Sequence, residues 1–186
     1  MLKKRMKKRL QRVTMMSEMT QTKEKKSELA SWIRFIAFLF ILFVIFKFVI
    51  GFTVVHGDSM NPTFKHEDIL LTKGVFNKYE RNDIVLFRDD AGYTVVKRIV
   101  GVPNDEIEII NGVVYLNGEM IDEDYTTGTS FDIPKTIVEE GTYFVMGDNR
   151  EPGASKDSRS DDVGLVPESQ IESEVLLSLI PFGTKK

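Results

Sequence analysis

Residues 32–50 read WIRFIAFLFILFVIFKFVI. They are almost wholly apolar, with only Arg34 near one end and Lys47 near the other. A 19-residue helix rises about 28 Å, close to the thickness of a bilayer's hydrocarbon core. Arg34 and Lys47 can extend toward the two interfaces, and Trp32 sits where an interfacial anchor is expected. A core helix of this length would carry a polar face. A cleavable leader would have a shorter apolar stretch followed by a small-x-small site, and the GFTVV that follows offers none. The expectation is one retained transmembrane helix.

Charge then orients it. Residues 1–30 hold ten Lys/Arg against three Glu, a balance of +7, so the remainder carries −10 of the net −3. By the positive-inside rule the basic tail, residues 1–31, belongs in the cytoplasm and residues 51–186 on the far side. The tail has no aromatic residue to stack on a base, which argues against a nucleic-acid partner. The chain has no cysteine, which excludes disulfides, thiolate metal sites and a thiol nucleophile.

The outer part reads as mostly strand. Short apolar runs at 68–72, 83–87, 93–100, 106–110, 112–118 and 141–146 are separated by turn residues, and Asn-Gly pairs bracket the fifth. No long amphipathic helical pattern interrupts them. The expected fold class is mainly β, an antiparallel barrel-like or sandwich-like domain preceded by one transmembrane helix. The polar segment 122–140 reads as an irregular surface excursion.

Within VVHGDSMNPTF (residues 54–64), Gly57 removes a side chain near Ser59 and Asn61-Pro62 turns the chain after it. A serine nucleophile needs a base. The two histidines, His56 and His66, both lie close to the serine in sequence, and no histidine follows. In the strand YTVVKRIV, Lys97 shares a face with Tyr93, Val95 and Ile99. Burial among apolar neighbours lowers a lysine's pKa, and a neutral amine can take a serine proton. The pattern alone also fits Ser59 as a plain turn residue, and it fits Lys97 better as a surface lysine on an edge strand.

GDSMNPTF, then YTVVKRIVGVPNDEIEI, then YFVMGDNR and SKDSR, in that order behind a membrane helix, resemble bacterial type I signal peptidase. The resemblance spans Trp32 to about Pro167. It implies a mostly β, membrane-associated serine endopeptidase that removes signal peptides from translocated preproteins. Ser59 would be its nucleophile and Lys97 its general base, with no metal or organic cofactor. Met60 would shield the amine, Ser155 would orient it, and Gly57 stands where some members supply an oxyanion-binding serine hydroxyl. Asp148 would pair with Arg98, and Asp157 would lie near Arg159. Implied partners are signal peptides and the bilayer, with the translocation machinery a further candidate.

Two departures from the family pattern stand out. Four residues, Glu151-Pro-Gly-Ala154, replace the usual two between the GDNR and SxDSR elements, and Asn104 replaces a common glycine. A lipase of the GDS type would need a late histidine, which is absent. Self-cleaving repressors share the serine–lysine chemistry but not the anchor. A pilus-associated assembly factor acting as a binding protein is the remaining alternative.

Overall fold

The computed structural model describes Met15, Glu28, residues 30–44, Phe46, residues 49–74 and residues 78–183. The chain divides into two units, 1–46 and 47–186. In the first, residues 30–44 are helical, and large apolar side chains at consecutive positions, Ile41 and Leu42 among them, are exposed. Among the described residues no helix is long and apolar enough to cross a membrane. Most of the basic tail, and Ile45, Lys47 and Phe48 of the expected span, lie outside the described residues.

The second unit is built from antiparallel strands. The larger sheet joins β1 (Ile50–Val54), β2 (Ile69–Gly74), β3 (Ile84–Arg88), β4 (Thr94–Gly101), β9 (Thr142–Met146), β10 (Val166–Pro167), β11 (Ile171–Ile180) and β12 (Phe182–Gly183). Its order is β1-β2-β11-β3-β4-β9-β10, with β12 on β11. The smaller sheet has β5 (Glu106–Ile110), β6 (Val113–Leu116), β7 (Glu119–Met120) and β8 (Ile133–Ile137), in the order β7-β6-β5-β8.

Turn chemistry sets these connections. Asn111-Gly112 and Asn117-Gly118 all have positive φ, the conformation that tight hairpins require. Asn104 is left-handed at φ 74, which asparagine tolerates better than most residues. The segment 122–140, expected to be irregular, contributes β8, which pairs with β5.

Alternation along the central strands builds the core. In β9, Tyr143 and Val145 enter one apolar cluster, while Phe144 and Met146 enter another. In β4, Ile99 and Val100 divide the same way. A third cluster gathers Met60 and Phe64 against Leu70 and Ile84. β4 is therefore an interior strand covered on both faces, and its two basic residues, Lys97 and Arg98, are each only 1% exposed.

Candidate active site

The loop after β1 carries Ser59. Val55 N–H donates to Asp68 O and Glu67 N–H to Val55 O, closing the loop's base. Inside it, Asn61 N–H donates to Asp58 O and Phe64 N–H to Met60 O, so the chain turns at once after the serine. Gly57 lies at φ +93, where L side chains are strained. Its N–H donates to His66 Nδ1, while the His56 ring contacts Val54 O. Neither histidine bonds Ser59. The Ser59 amide N–H donates to no protein acceptor among the described residues.

Lys97 Nζ lies 2.7 Å from Ser59 Oγ, and its other bond goes to Val96 O at 2.8 Å. Val85 stands opposite Lys97 in the β3–β4 register. Burial pushes the amine down from 10.5 to about 8, against the pull of Asp157 and Asp148, which favour its charged form. Met60 is fully buried in the loop. An amine so placed can accept a hydroxyl proton near neutral pH. A cleft of about 160 Å3 opens beside Ser59, lined in part by Val54, Met60, Val95 and Val96.

The segment after β9 encloses the pair. Asp148 accepts from Arg98 Nε at 2.9 Å and from Arg98 Nη2 at 2.7 Å, so the expected pairing forms, buried. Asp157 accepts from Arg159 through both carboxylate oxygens and from the Gly147 N–H. Burial raises the Asp157 pKa, but those donors and Ser155 outweigh it and hold the carboxyl below its usual range.

Ser155 differs from expectation. Its hydroxyl donates to Asp157 Oδ2 at 2.6 Å, and no bond joins it to Lys97. A carboxylate two residues away is the nearer and stronger acceptor. The added residues form a turn, with Ala154 N–H donating to Glu151 O and Gly153 at φ +80, as a Pro-Gly pair allows.

Sequence reasoning missed several neighbours. Asn149 N–H donates to Ser59 O at 3.0 Å, and its side-chain amide donates to Asp58 O. Thr63 donates to Asp148. The Tyr125 ring lies 4.0 Å from the Arg98 guanidinium carbon, and Glu123 takes two bonds from Arg150. Thr63 and Asn149 sit inside quoted motifs, so their positions were visible. Tyr125 and Glu123 fell in the segment read as a surface excursion.

The contact and the cleft beside it suit a hydrolase, and comparison with known proteins gives the family. The profile of "Signal peptidase, peptidase S26" matches residues 29–180. Signal peptidase IB of Staphylococcus aureus (strain COL) is 36% identical over 162 residues, covering 75% of this chain and 83% of that protein. Signal peptidase I S of Bacillus subtilis (strain 168) is 34% identical over 152 residues, covering 73% and 80%. A crystal structure of a signal peptidase I from Enterococcus faecalis V583 aligns at 29% identity with TM-score 0.46, covering 54% of this chain and 98% of that one. The chain belongs to the signal peptidase family, peptidase S26, and is a serine endopeptidase.

Proposed function

We propose that this chain is a membrane-anchored endopeptidase that removes signal peptides from translocated preproteins, with Ser59 as nucleophile and Lys97 as general base. The 2.7 Å separation of Lys97 Nζ and Ser59 Oγ carries this reading. Lys97, as free amine, takes the hydroxyl proton as Ser59 attacks the scissile carbonyl. The unpartnered Ser59 N–H is the donor best placed for the oxyanion. Gly57 offers no side-chain donor in addition. The protonated amine returns its proton to the leaving nitrogen, and Lys97 then activates the water that releases the acyl group. Met60 keeps water from the amine. Arg98, Asp148, Asp157 and Arg159 hold the surrounding backbone, and Ser155 acts through Asp157. Because Ser59 and Lys97 are both present and in contact, catalysis fits better than a purely binding role in assembly.

The exposed apolar side chains of residues 32–43 support the anchor, since such a surface on every side of a helix suits lipid rather than water. The reading puts the N-terminus in the cytoplasm, residues 32–50 in the membrane and residues 51–186 outside. A C-terminal tag on intact cells should then be reachable by antibody, and a tag exposed only after lysis would reverse the orientation.

Purified full-length protein in detergent should cut a preprotein once, after a site with small residues at −1 and −3. The resemblance to type I signal peptidase implies such a site, and phenylalanine at −1 should lower the rate at least about 100-fold, as the loss of a bound reactive geometry does. Indifference to that substitution would contradict the assignment. Gly147 supplies a second test. A Cβ there would collide with Ser59 O and with Ser155 Oγ, and the former is backbone that cannot swing aside. Gly147→Ala should therefore lower kcat by about 100-fold. Near-normal turnover would mean that the enclosing segment is not held against Ser59.

A further inference from the structure

Asp148 joins the two chain segments that bring the serine and the lysine together. Two of its three side-chain donors come from Arg98, the residue after Lys97 on β4. The third is the Thr63 hydroxyl, 2.5 Å from Oδ2, on the loop that carries Ser59. Asp148 is fully buried and Thr63 nearly so, and no other hydroxyl reaches this carboxylate among the described residues. The adjacent Asn149 adds its backbone bond to Ser59 O and its side-chain bond to Asp58 O. Asp148 is tied from its own side as well, because Thr127 N–H donates to its carbonyl and Arg150 N–H donates to Thr127 O.

We infer that Thr63 is a positioning residue: through Asp148 and Arg98 its hydroxyl fixes the Ser59 loop against β4 and so sets the distance between Ser59 and Lys97. This rests on the proposed Ser59–Lys97 chemistry. The loop's own turns hold its shape but do not tie it to β4. Met60 and Phe64 pack in an apolar cluster that Val96 of β4 joins; beyond the Lys97–Ser59 contact, the polar ties run through Thr63 to Arg98 of β4 and through Asn149 to the segment after β9. Removing the Thr63 hydroxyl leaves the Arg98–Asp148 pair in place, so the scaffold persists while one anchor of the nucleophile loop is lost. The cleft beside Ser59 includes neither Thr63 nor Asp148, so substrate affinity should change little.

The test compares Thr63→Val, Thr63→Ser and Ser59→Ala in full-length protein, using steady-state cleavage of a preprotein across pH. Thr63→Val keeps the shape and removes the donor. Its kcat should fall about 10- to 100-fold, as misplacement of a reacting group by a fraction of an ångström to an ångström does. Its KM should stay within about threefold and the midpoint of its acid limb should not move, because the charges around Lys97 are unchanged. Thr63→Ser restores the donor and should recover most of the rate. A Thr63→Val enzyme within twofold of wild type overturns the proposal. So does a loss that Thr63→Ser fails to recover, or one expressed mainly in KM. Should Thr63→Val fold poorly, Thr63→Ala removes the same donor without placing a methyl group against the carboxylate, and the same fall in kcat is expected. A Thr63→Ala enzyme within twofold of wild type would overturn the proposal as well. An active Ser59→Ala enzyme would instead defeat the underlying chemistry, which keeps the two failures distinct.

Discussion

Lys97→Met should abolish cleavage and at the same time stabilise the protein at neutral pH. Removing a residue that acts as one unit with the nucleophile typically costs about 10^3-fold or more in kcat, and removing its partner as well adds little. Ser59→Ala should therefore be equally inactive, and the double variant no worse. The stability change follows from the lysine's burial. Its pKa falls from 10.5 to about 8 on folding. Between those values the unfolded chain binds more protons than the folded one, so stability rises as pH rises through that window. Below about pH 8 the full cost of burying the charged amine is present, about 3 kcal/mol. Methionine removes that cost but loses the bonds to Ser59 Oγ and Val96 O, about 1 kcal/mol each. A net gain of about 1 kcal/mol corresponds to a Tm rise of about 2–4 °C for a domain of this size. Thermal melts at pH 7 and pH 10 check the sign: the advantage of Lys97→Met should shrink at the higher pH. A variant that melts lower than wild type at pH 7, or that still cleaves, contradicts the account.

Arg98→Ala should be the most damaging single change to stability. Its side chain is 1% exposed and its partner Asp148 is fully buried. Deleting one member of a buried pair strands the other charge and costs about 3–5 kcal/mol. The contact with the Tyr125 ring is lost too, and the Asn82 carbonyl loses a donor. A Tm decrease of about 10 °C is expected, with activity falling alongside. Replacing both residues by apolar ones, Arg98→Met with Asp148→Leu, should recover much of the stability, because no unpaired charge remains. It should not recover activity, since the Thr63 anchor disappears with the carboxylate. Calorimetry with a parallel cleavage assay separates these effects. A Tm change under about 2 °C for Arg98→Ala would mean that water reaches Asp148.

The strands were legible where alternation and turn chemistry agreed. The runs that became β2 to β6 and β9 were visible, and the Asn-Gly turns fell where expected. β11 was not anticipated, although it sits between β2 and β3 in the larger sheet. Bulges between Val175 and Leu177 and between Ser178 and Ile180 break its period of two, so the pattern never reads as a strand. Lys97 and Ser59 are 38 residues apart, and periodicity cannot report a contact at that separation. What the strand pattern did carry was a face shared by Lys97 and Ile99, both buried, although Tyr93, read on the same face, is exposed. The charges of GDNREPGASKDSR would ordinarily mark a solvated loop, yet Asp148, Arg150, Asp157 and Arg159 are all buried. Each has a partner of opposite sign within hydrogen-bonding distance, and those partners come from β4, from the 121–127 loop or from the same turn. Local sequence shows the charges but not the distant groups that neutralise them. The same limit explains Ser155, whose strongest acceptor proved to be Asp157 rather than the lysine.

The proposed chemistry requires the amine of Lys97 to be uncharged in an appreciable fraction of molecules near neutral pH while in contact with Ser59. Titration of the Lys97 side chain by NMR, with lysine labelled at the ε-carbon and ζ-nitrogen and assigned by comparison with Lys97→Met, measures this directly. A midpoint near 8, matched by the acid limb of kcat/KM, is the predicted result; a midpoint near that of a solvent-exposed lysine, about 10.4, would contradict it.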